Sequence, residues 1–330
     1  MGILDQIKDK TRKLGRTVVL PEGYDQRTIQ AARSLTEERI ARVIILGKIG
    51  EVAKLAKTHG LDMGKITVIN PADSPDFNRY ANLLYERRKD KGITREKAAE
   101  LMKNELYFGA ALVKTGGADA SDAGAANTTG DVLRAALHII GLAEGIKVVS
   151  SCFLMTMPEF LGTKDKVFMF ADCAVVPNPK PEELASIAAS TAETYRRLIG
   201  DTPRVAFLSF STKGSAEHED IDKVRAALDI FRRSHPGVEA DGEMQLDAAV
   251  IPKIGEKKAP GSPVAGKANV LIFPDLDAGN IGYKLTERMA QATATGPIIQ
   301  GLALPANDLS RGCSSDDIVN VSAIAVLLKG

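Results

Sequence analysis

Residues 307–317, NDLSRGCSSDD, place one arginine, three serines and three aspartates directly before the last predicted helix. Arg311 follows Ser310 and precedes a glycine, so its guanidinium can approach an oxyanion that a hydroxyl group also contacts. Arginine makes bidentate contacts with carboxylate or phosphate oxygens that lysine cannot make. The segment therefore predicts a site for a planar or tetrahedral anion.

The aspartates of this segment also have a structural interpretation. Ser314, followed three residues later by Asp317, has the form of a helix-capping box. Asp316 would lie in the first helical turn, where a negative charge complements the helix dipole. The residues alone favour this structural role for both aspartates.

A second polar segment, STKGS at 211–215, follows a predicted strand and precedes a predicted helix. Small residues let backbone N–H groups approach an anion, and a helix N-terminus favours negative charge. The candidate substrate-binding residues there are Ser211, Thr212, Lys213 and Gly214. Because the segment lacks the GxxxxGK pattern of a nucleotide-binding loop, a plain strand-to-helix turn is at least as well supported.

The cysteines and histidines give weaker signals. Cys152, Cys173 and Cys313 are odd in number and widely spaced, which is typical of reduced thiols in the cytosol. Cys313 stands at a predicted helix start, where a thiolate is favoured, so an acyl-enzyme mechanism through it stays an alternative. The four histidines show no triad spacing, and no Cys or His pair has metal-site spacing, so no metal is expected.

Short apolar runs rich in Val and Ile alternate with amphipathic helical patterns along the whole chain. Such alternation predicts an α/β fold whose parallel sheets are covered on both faces. The predicted strands are 17–20, 42–46, 66–69, 147–153, 167–170, 205–210, 269–273 and 297–302, and the predicted helices are 25–38, 182–198, 219–233, 281–292 and 316–328. Ligands of these sheets bind beyond the carboxyl ends of the strands, where both polar segments lie.

The length of 330 residues suggests two domains. Candidate boundaries near 141–145 and near Gly296 and Pro297 predict a discontinuous first domain, 1–145 and 297–330. The second domain, 146–296, would be inserted into it, and we expect a ligand-binding cleft between the two.

The charge balance excludes several classes of partner. Lys and Arg number 43 against 42 Asp and Glu, a net charge of +1, so neither nucleic acid nor a membrane surface is expected as a partner. The N-terminus has no apolar run typical of a signal peptide, and no apolar stretch is long enough to span a membrane. We therefore expect a soluble cytoplasmic protein.

Five blocks of the sequence closely resemble the phosphate acetyltransferase (phosphotransacetylase) family, within the phosphate acetyl/butyryltransferases. The blocks are DCAVVPNPKPEELA (172–185), LSFSTKGSAEHE (208–219), DGEMQLDAA (241–249), APGSPVAGKANVLIFPDLDAGNIGYK (259–284) and NDLSRGCSSDDIV (307–319). The resemblance covers nearly the whole chain. It implies two doubly wound α/β domains with an interdomain cleft, similar in architecture to isocitrate and isopropylmalate dehydrogenases, and a homodimer.

The same resemblance implies an activity and a set of site residues. The family interconverts acetyl-CoA plus phosphate with acetyl phosphate plus CoA, and these four molecules would be the substrates, with no tightly bound cofactor. The residues implied in catalysis are Ser310, Arg311 and Asp317, and those implied in binding CoA and phosphate are Arg88, Arg134 and Arg288. This gives Asp317 a chemical role beside its capping role.

The sequence departs from the family pattern at three positions. Ala120 and Asp122 stand where a glycine and an apolar residue are common, and Leu304 stands where a lysine is frequent. These changes bear on substrate affinity and acyl preference. The alternative function with the same chemistry is that of a phosphate butyryltransferase. A metal- and nicotinamide-dependent dehydrogenase would need a carboxylate cluster and a nucleotide-binding motif, and the sequence shows neither.

Direct transfer in a ternary complex needs phosphate to be held and the developing oxyanion to be stabilised. We expect Arg311 to hold the phosphoryl group and Ser310 or nearby backbone N–H groups to donate to the oxyanion. In the reverse direction Asp317 would accept the proton of the CoA thiol, across a pKa gap of about 4.6, or roughly 6 kcal/mol. Burial would raise the pKa of Asp317 and so narrow this gap, whereas a tight pair with Arg311 would keep the carboxylate ionised. We therefore expect Asp317 to be partly buried near Arg311, without a tight bidentate pair.

Overall fold

The computed structural model describes residues 2–329, and the chain divides into two compact units. The first contains the residues up to Ala143 together with those from Leu302 onward, and the second is Glu144–Gly301. The boundary predicted from the sequence lies instead between Gly296 and Pro297. Both residues lie inside a strand of the second unit, where they shift its pairing register without ending it.

The first unit is built on a five-stranded sheet in which every pairing is parallel. Its strands are β1 (Thr17–Leu20), β2 (Arg42–Leu46), β3 (Ile66–Ile69), β4 (Ala120–Ala123) and β11 (Ala306–Asp308), in the order β11-β4-β1-β2-β3. Its helices are α1 (Ile3–Arg12), α2 (Gln26–Glu37), α3 (Ile49–His59), α4 (Phe77–Arg88), α5 (Arg95–Met102), α6 (Glu105–Thr115), α7 (Thr129–Ile139) and α13 (Ser315–Leu328). Three short 3-10 turns are Met63–Lys65, Pro71–Asp73 and Lys89–Lys91.

Two helices of the first unit, α6 and α13, are buried along most of their length. Helix α13 packs against α1, α2 and β4, so the end of the chain contributes to the core formed by its beginning. In the same unit Tyr80 and Phe108 meet edge to face, with ring centroids 5.0 Å apart. The buried position of α13 fixes the place of residues 309–314, which lead into it.

The second unit is built on a six-stranded sheet. Its strands are β5 (Ser150–Phe160), β6 (Thr163–Ala171), β7 (Arg204–Leu208), β8 (Glu239–Met244), β9 (Val270–Ile272) and β10 (Thr293–Gln300), in the order β10-β5-β6-β9-β7-β8. Its helices are α8 (Pro181–Ile199), α9 (Glu219–Ser234), α10 (Leu246–Val250), α11 (Pro252–Lys258) and α12 (Leu276–Met289).

This second sheet is mixed, which corrects the expectation of parallel strands throughout. Strand β5 pairs antiparallel with β6 and β10, and the other pairings are parallel. Strands β5 and β6 form a hairpin whose turn residues, Leu161 and Gly162, have φ values of 50° and 78°. Positive φ at both positions is typical of a tight hairpin turn. The α/β class is confirmed, with an antiparallel hairpin added to the second sheet.

The sequence prediction located the apolar strands, although the bounds of β5, β6 and β10 differ by several residues, and it missed three polar strands. Strands β1, β2 and β3 have the predicted bounds, whereas β4 (ASDA), β8 (EADGEM) and β11 (AND) were not predicted. All three are short and polar, yet nearly all their residues are buried. Among residues 2–329, none of the helices combines the length and apolar content needed to cross a membrane.

Candidate active site

Three segments leave neighbouring strands at the carboxyl edge of the first sheet. They are residues 21–25 after β1, 124–128 after β4 and 309–314 after β11, and these strands are adjacent in the sheet. The carboxyl edge of a parallel sheet is where ligands bind. The segment after β11 carries the predicted residues Ser310 and Arg311.

Ser310 and Arg311 lie in an exposed turn. The Cys313 backbone N–H donates to the Ser310 carbonyl at 2.9 Å, and the Gly312 N–H donates to Ser310 Oγ at 3.2 Å. Within residues 2–329, the Arg311 guanidinium forms no hydrogen bond or ion pair. Its donors are therefore available to an anion.

Arg27, in the first turn of α2, holds the backbone of this turn. Its Nη1 donates to the carbonyl oxygens of Arg311 at 2.7 Å and Cys313 at 3.1 Å, and its Nη2 donates to the Ala125 carbonyl at 2.5 Å. Asp25 accepts from Nε at 3.0 Å and from Nη2 at 2.7 Å. One guanidinium thus joins all three segments of the carboxyl edge.

Glu22, only 2% exposed, lies against the segment that follows β4. Its Oε2 accepts from the backbone N–H groups of Gly124 at 3.1 Å and Ala125 at 2.9 Å, and its Oε1 from those of Ala126 at 3.0 Å and Asn127 at 2.8 Å. The Asn127 side-chain amide also donates to Oε1 at 2.8 Å. Successive backbone N–H groups of this kind form a concave anion site. A carboxylate of the chain itself fills this one.

Two more carboxyl groups are buried in the strands that lead to the site. Asp122, which stands where an apolar residue is common in the family, accepts from the Asn307 side-chain amide at 2.9 Å. Within residues 2–329, Asp122 Oδ2 and Asp308 Oδ1 have no hydrogen-bond partner. Burial raises the pKa of both carboxyls to about 6, and for Asp308 the nearby charge of Arg311 opposes the rise.

Asp317 forms the capping box that its spacing from Ser314 predicts. Its Oδ2 accepts from the Ser314 backbone N–H at 2.8 Å and from the Ser314 hydroxyl at 2.9 Å, while its own N–H donates to Ser314 Oγ at 3.1 Å. The expectation of partial burial is wrong for this chain, because Asp317 is exposed. No ion pair joins it to Arg311 in the part of the chain described, and its Oδ1 accepts no hydrogen bond there.

The charges of Arg88 and Arg134 both affect the pKa values of Tyr107 and His138. The Tyr107 hydroxyl lies 3.1 Å from His138 Nδ1. Burial lowers the pKa of His138, and the charges of both arginines lower it further. Burial raises the pKa of Tyr107, and the same two charges oppose the rise. Arg134 pairs with Asp131 at 2.7 Å on the surface, whereas Arg88 has no ion-pair partner among the described residues.

In the second unit, the STKGS segment is bound to a buried carboxylate of β8. The Ser211 hydroxyl and the Gly214 N–H donate to Glu243 Oε1 at 2.8 and 2.9 Å, and Arg225 Nε donates to its Oε2 at 2.8 Å. Burial alone would raise the pKa of Glu243, but Arg225 and the other donors outweigh it and lower the pKa to about 2. This carboxylate therefore takes the position expected for an external anion.

A second carboxylate of β8 holds the lysine of the same segment. The Lys213 ammonium pairs with Asp241 and donates to the Gly242 carbonyl at 3.0 Å, while Arg232 pairs with Asp241 at 2.7 Å. The backbone N–H groups of 211–214 all donate within the chain, so the expected backbone cradle is not formed. Contact of Ser211, Thr212, Lys213 and Gly214 with substrate stays a prediction.

The last predicted arginine, Arg288, lies on α12 of the second unit. Its side chain is 80% exposed and its Nε lies 3.4 Å from Glu287. Ser310, Arg311 and Asp317 belong to the first unit. The predicted residues are thus divided between the two units, and the three catalytic candidates all belong to the first.

All three cysteines are buried free thiols. Burial raises the pKa of Cys313 to about 11, against the opposing charge of Arg27. Burial also raises the pKa values of Cys152 and Cys173 well above the ordinary thiol range. A thiolate is therefore disfavoured near neutral pH, which argues against the acyl-enzyme alternative.

Glu22, Arg27 and Asp308 were not predicted from the sequence as site residues. A signal for the first two was present, because PEGYDQR follows β1 directly, and β1 is the central strand of the sheet. Both charged residues therefore belong to the carboxyl edge where ligands bind. Among residues 2–329, no group of three His, Cys, Asp or Glu side chains is placed to hold a metal ion.

Comparison with known proteins gives a consistent family. The family model for phosphate acetyl/butaryl transferases matches residues 2–326. A phosphate acetyltransferase of Thermoanaerobacterium thermosaccharolyticum is 53% identical over 323 residues, covering 98% of both chains. The crystal structure of a phosphotransacetylase from Streptococcus pyogenes has a TM-score of 0.93 at 42% identity, covering 98% of this chain and 97% of the other.

A more distant likeness extends to a dehydrogenase fold. A Salmonella typhimurium chain provisionally described as a 4-hydroxythreonine-4-phosphate dehydrogenase has a TM-score of 0.57 at 13% identity, covering 95% of this chain and 99% of the other. At this identity the likeness shows the fold alone. It agrees with an α/β fold shared with a dehydrogenase, while the similarity to isocitrate and isopropylmalate dehydrogenases in particular stays a prediction.

Proposed function

Because the chain belongs to the phosphate acetyl/butyryl transferase family, we propose that it transfers an acetyl group reversibly between CoA and inorganic phosphate. In the direction of acetyl phosphate, a phosphate oxygen attacks the thioester carbonyl carbon of acetyl-CoA and a carbon–oxygen bond forms. The carbon–sulfur bond then breaks, and the proton of the attacking phosphate ends on the CoA sulfur. Relatives named phosphate acetyltransferase favour acetyl over butyryl as the transferred group.

The observation that carries this proposal is the state of Arg311. Its side chain is exposed and unpaired within the described residues, while its own carbonyl is held by Arg27 at 2.7 Å. A fixed backbone with a free guanidinium is suited to bind a tetrahedral dianion in one orientation. We assign Arg311 to the phosphoryl group and the Ser310 hydroxyl, or backbone N–H groups of the turn, to the developing oxyanion. Direct transfer in a ternary complex then needs no covalent enzyme intermediate.

Asp317 is the proposed proton acceptor for the CoA thiol in the reverse direction. The Ser314 contacts hold its carboxylate through Oδ2, and Oδ1 is the oxygen that remains to accept the proton. Because Asp317 is exposed in this chain, the role requires bound CoA to exclude water from it. Exclusion of water must lower the cost of moving the proton from the thiol to the carboxylate, which is roughly 6 kcal/mol at their ordinary pKa values.

The remaining arginines suit the other groups of CoA. CoA carries a 3′-phosphate and a diphosphate, and we propose that Arg88, Arg134 and Arg288 contact these groups. Acetyl-CoA, CoA, phosphate and acetyl phosphate act as substrates, and the proposed transfer needs no resident cofactor. The three buried free thiols fit a reducing compartment, so we propose a cytoplasmic location.

The test is formation of acetyl-CoA from CoA and acetyl phosphate, with butyryl phosphate measured in parallel. We expect acetyl phosphate to be preferred. Arg311→Ala should lower kcat/KM by about 100-fold or more, since it removes the charge that binds the anion. Arg33→Ala is the matched control, because Arg33 lies on α2 in an exposed pair with Glu37. Unchanged turnover in Arg311→Ala would contradict the proposed site.

We also propose that the protein is a homodimer, supported by an apolar stripe on α12. Ile281, Leu285 and Met289 are spaced four residues apart on one helix face and are 56%, 50% and 78% exposed. Large apolar side chains repeating on one exposed face are typical of an interface. A second copy of the chain would bury them.

The dimer is tested by sedimentation of Leu285→Glu against wild type. Wild type should sediment as a dimer and Leu285→Glu as a monomer at the same concentration. Leu246→Glu is the control, because Leu246 is 49% exposed but lies on α10, outside the stripe. A monomeric wild type, or a Leu285→Glu variant that stays dimeric, would refute this interface.

A further inference from the structure

All hydrogen-bonding capacity of Arg27 is used within the chain. A guanidinium has five N–H donors, and those of Arg27 have five acceptor contacts at 2.5–3.1 Å. Three of the acceptors are the backbone carbonyls of Ala125, Arg311 and Cys313, and two are the oxygens of Asp25. Arg27 therefore has no donor left for a substrate, so its contribution must act through the segments it holds.

Asp25 holds the Arg27 side chain in position. As the N-cap of α2, its carboxylate accepts from the Arg27 backbone N–H at 2.8 Å as well as from the guanidinium. The hydrogen bond from Arg27 is the main reason that the pKa of Asp25 lies below its ordinary value. The Arg27 side chain is 25% exposed and is thus shielded from most of the competing water. Its orientation is set by the start of the helix.

The turn that Arg27 reaches has a flexible residue at its centre. Gly312 lies between the two carbonyls that accept from Nη1, those of Arg311 and Cys313. Upstream, the Leu309 N–H is held by the Ala123 carbonyl at 2.6 Å, and downstream the capping box begins at Ser314. Glycine loses more backbone freedom on ordering than any other residue. Arg27 supplies contacts on both sides of that residue.

We propose that Arg27 is a positioning residue: by binding the carbonyls on both sides of Gly312, it holds Ser310 and Arg311 in the one arrangement that serves acetyl transfer. This inference rests on the proposed function, since it assigns Ser310 and Arg311 to the reacting groups. A lysine at position 27 keeps the charge but has three donors on a single nitrogen and no planar fork, so it cannot make the five contacts that join the three segments.

The experiment compares Arg27→Ala and Arg27→Lys with wild type and with the control Arg33→Ala. Rates are expressed per folded molecule, with the folded fraction taken from circular dichroism. We expect kcat to fall by about 100-fold in both Arg27 variants, the effect typical of a reacting group misplaced by about 1 Å. The KM for CoA should change by less than about threefold, because Arg88, Arg134 and Arg288, which are proposed to bind CoA, lie outside this turn.

Two further readouts separate positioning from a general loss of stability. Added guanidinium ion, at a concentration too low to denature, should restore part of the kcat of Arg27→Ala by occupying the space of the missing group. In folded Arg27→Lys, amide hydrogen exchange should become faster in residues 310–314 and stay unchanged in β1–β3. Arg33→Ala should behave as wild type in both measurements.

The outcomes distinguish this inference from the proposed function. If wild type transfers acetyl groups and the folded Arg27 variants keep kcat within about twofold, Arg27 does not position the turn and the proposed function stands. If wild type transfers no acetyl group, the proposed function fails, and unchanged exchange in residues 310–314 of Arg27→Lys would overturn the positioning role separately. A kcat that is lost without rescue and without faster exchange also refutes it.

Discussion

Replacing Glu22 with glutamine removes one acceptor oxygen from a buried site at almost constant size. Glu22 is 2% exposed, and its two oxygens accept four backbone N–H groups and one side-chain amide. If the new amide nitrogen takes the place of Oε2, the N–H groups of Gly124 and Ala125 face a donor. If it takes the place of Oε1, three donors are left without an acceptor.

The expected magnitude follows from the smaller of these two losses. A buried donor left without a partner costs about 1–3 kcal/mol. Two such donors give a loss of roughly 2–6 kcal/mol in the free energy of unfolding of the first unit. This is a large fraction of the stability of a typical domain, which is about 5–15 kcal/mol.

The measurement is urea unfolding followed by circular dichroism, because the chain has no tryptophan. Glu37→Gln is the matched control: it makes the same chemical change on α2, in an exposed pair with Arg33 at 3.0 Å. The control should lose no more than about 1 kcal/mol. If Glu22→Gln loses as little as Glu37→Gln, the carboxylate does not hold the segment after β4, and the reasoning from hydrogen-bond count fails.

Two more predictions concern buried ionisable groups. Burial raises the pKa of Asp122 from 3.8 to about 6. As the pH rises between these two values, Asp122 ionises in the unfolded chain but stays protonated in the native state, so the free energy of unfolding falls. Above pH 6 this loss of stability is complete. The stability of Asp122→Asn relative to wild type should therefore increase by up to about 3 kcal/mol between pH 4 and pH 7.5 in urea unfolding, and a constant difference would refute the raised pKa. Cys313 is buried and its pKa is raised to about 11, so Cys313→Ala should keep kcat within about twofold with no burst of CoA release; abolished turnover would instead support the cysteine mechanism.

The predictable part of the fold was the part with an apolar pattern. Runs such as RVIIL gave β2 its correct bounds, since a buried parallel strand needs apolar residues on both faces. Strand β4, ASDA, is equally buried but carries Asp122, whose partner Asn307 lies in β11. A polar residue fits a strand interior only when its partner is present, and a partner 185 residues away is invisible to local pattern. The same reason explains why β8 was missed, since its buried Asp241 and Glu243 pair with arginines of α9 and with the STKGS segment.

The predictable part of the site was the part with a local motif. The Ser314–Asp317 capping box follows from a spacing of three residues and was found in the structure. Arg311 was correctly placed in the turn before the last helix, but Arg27, which holds that turn, is 284 residues away in sequence. The STKGS segment shows the opposite error. Its composition suits an anion, but the chain supplies the anion through Glu243 on β8, the strand that pairs with β7.

The discontinuity of the first unit has a consequence for how the protein is made. The second unit is continuous in sequence, so it can complete its sheet as soon as residue 301 has left the ribosome. The first unit begins earlier but must wait for β11 and α13, which supply its outer strand and a buried helix. Domains tend to fold as units during synthesis. While the second unit forms, the nascent first unit therefore still exposes the surface of α1, α2 and β4 that α13 later covers. Ser310, Arg311 and Asp317 lie in or beside the same final segment, so a nascent chain acquires its catalytic candidates together with the last elements of its first unit.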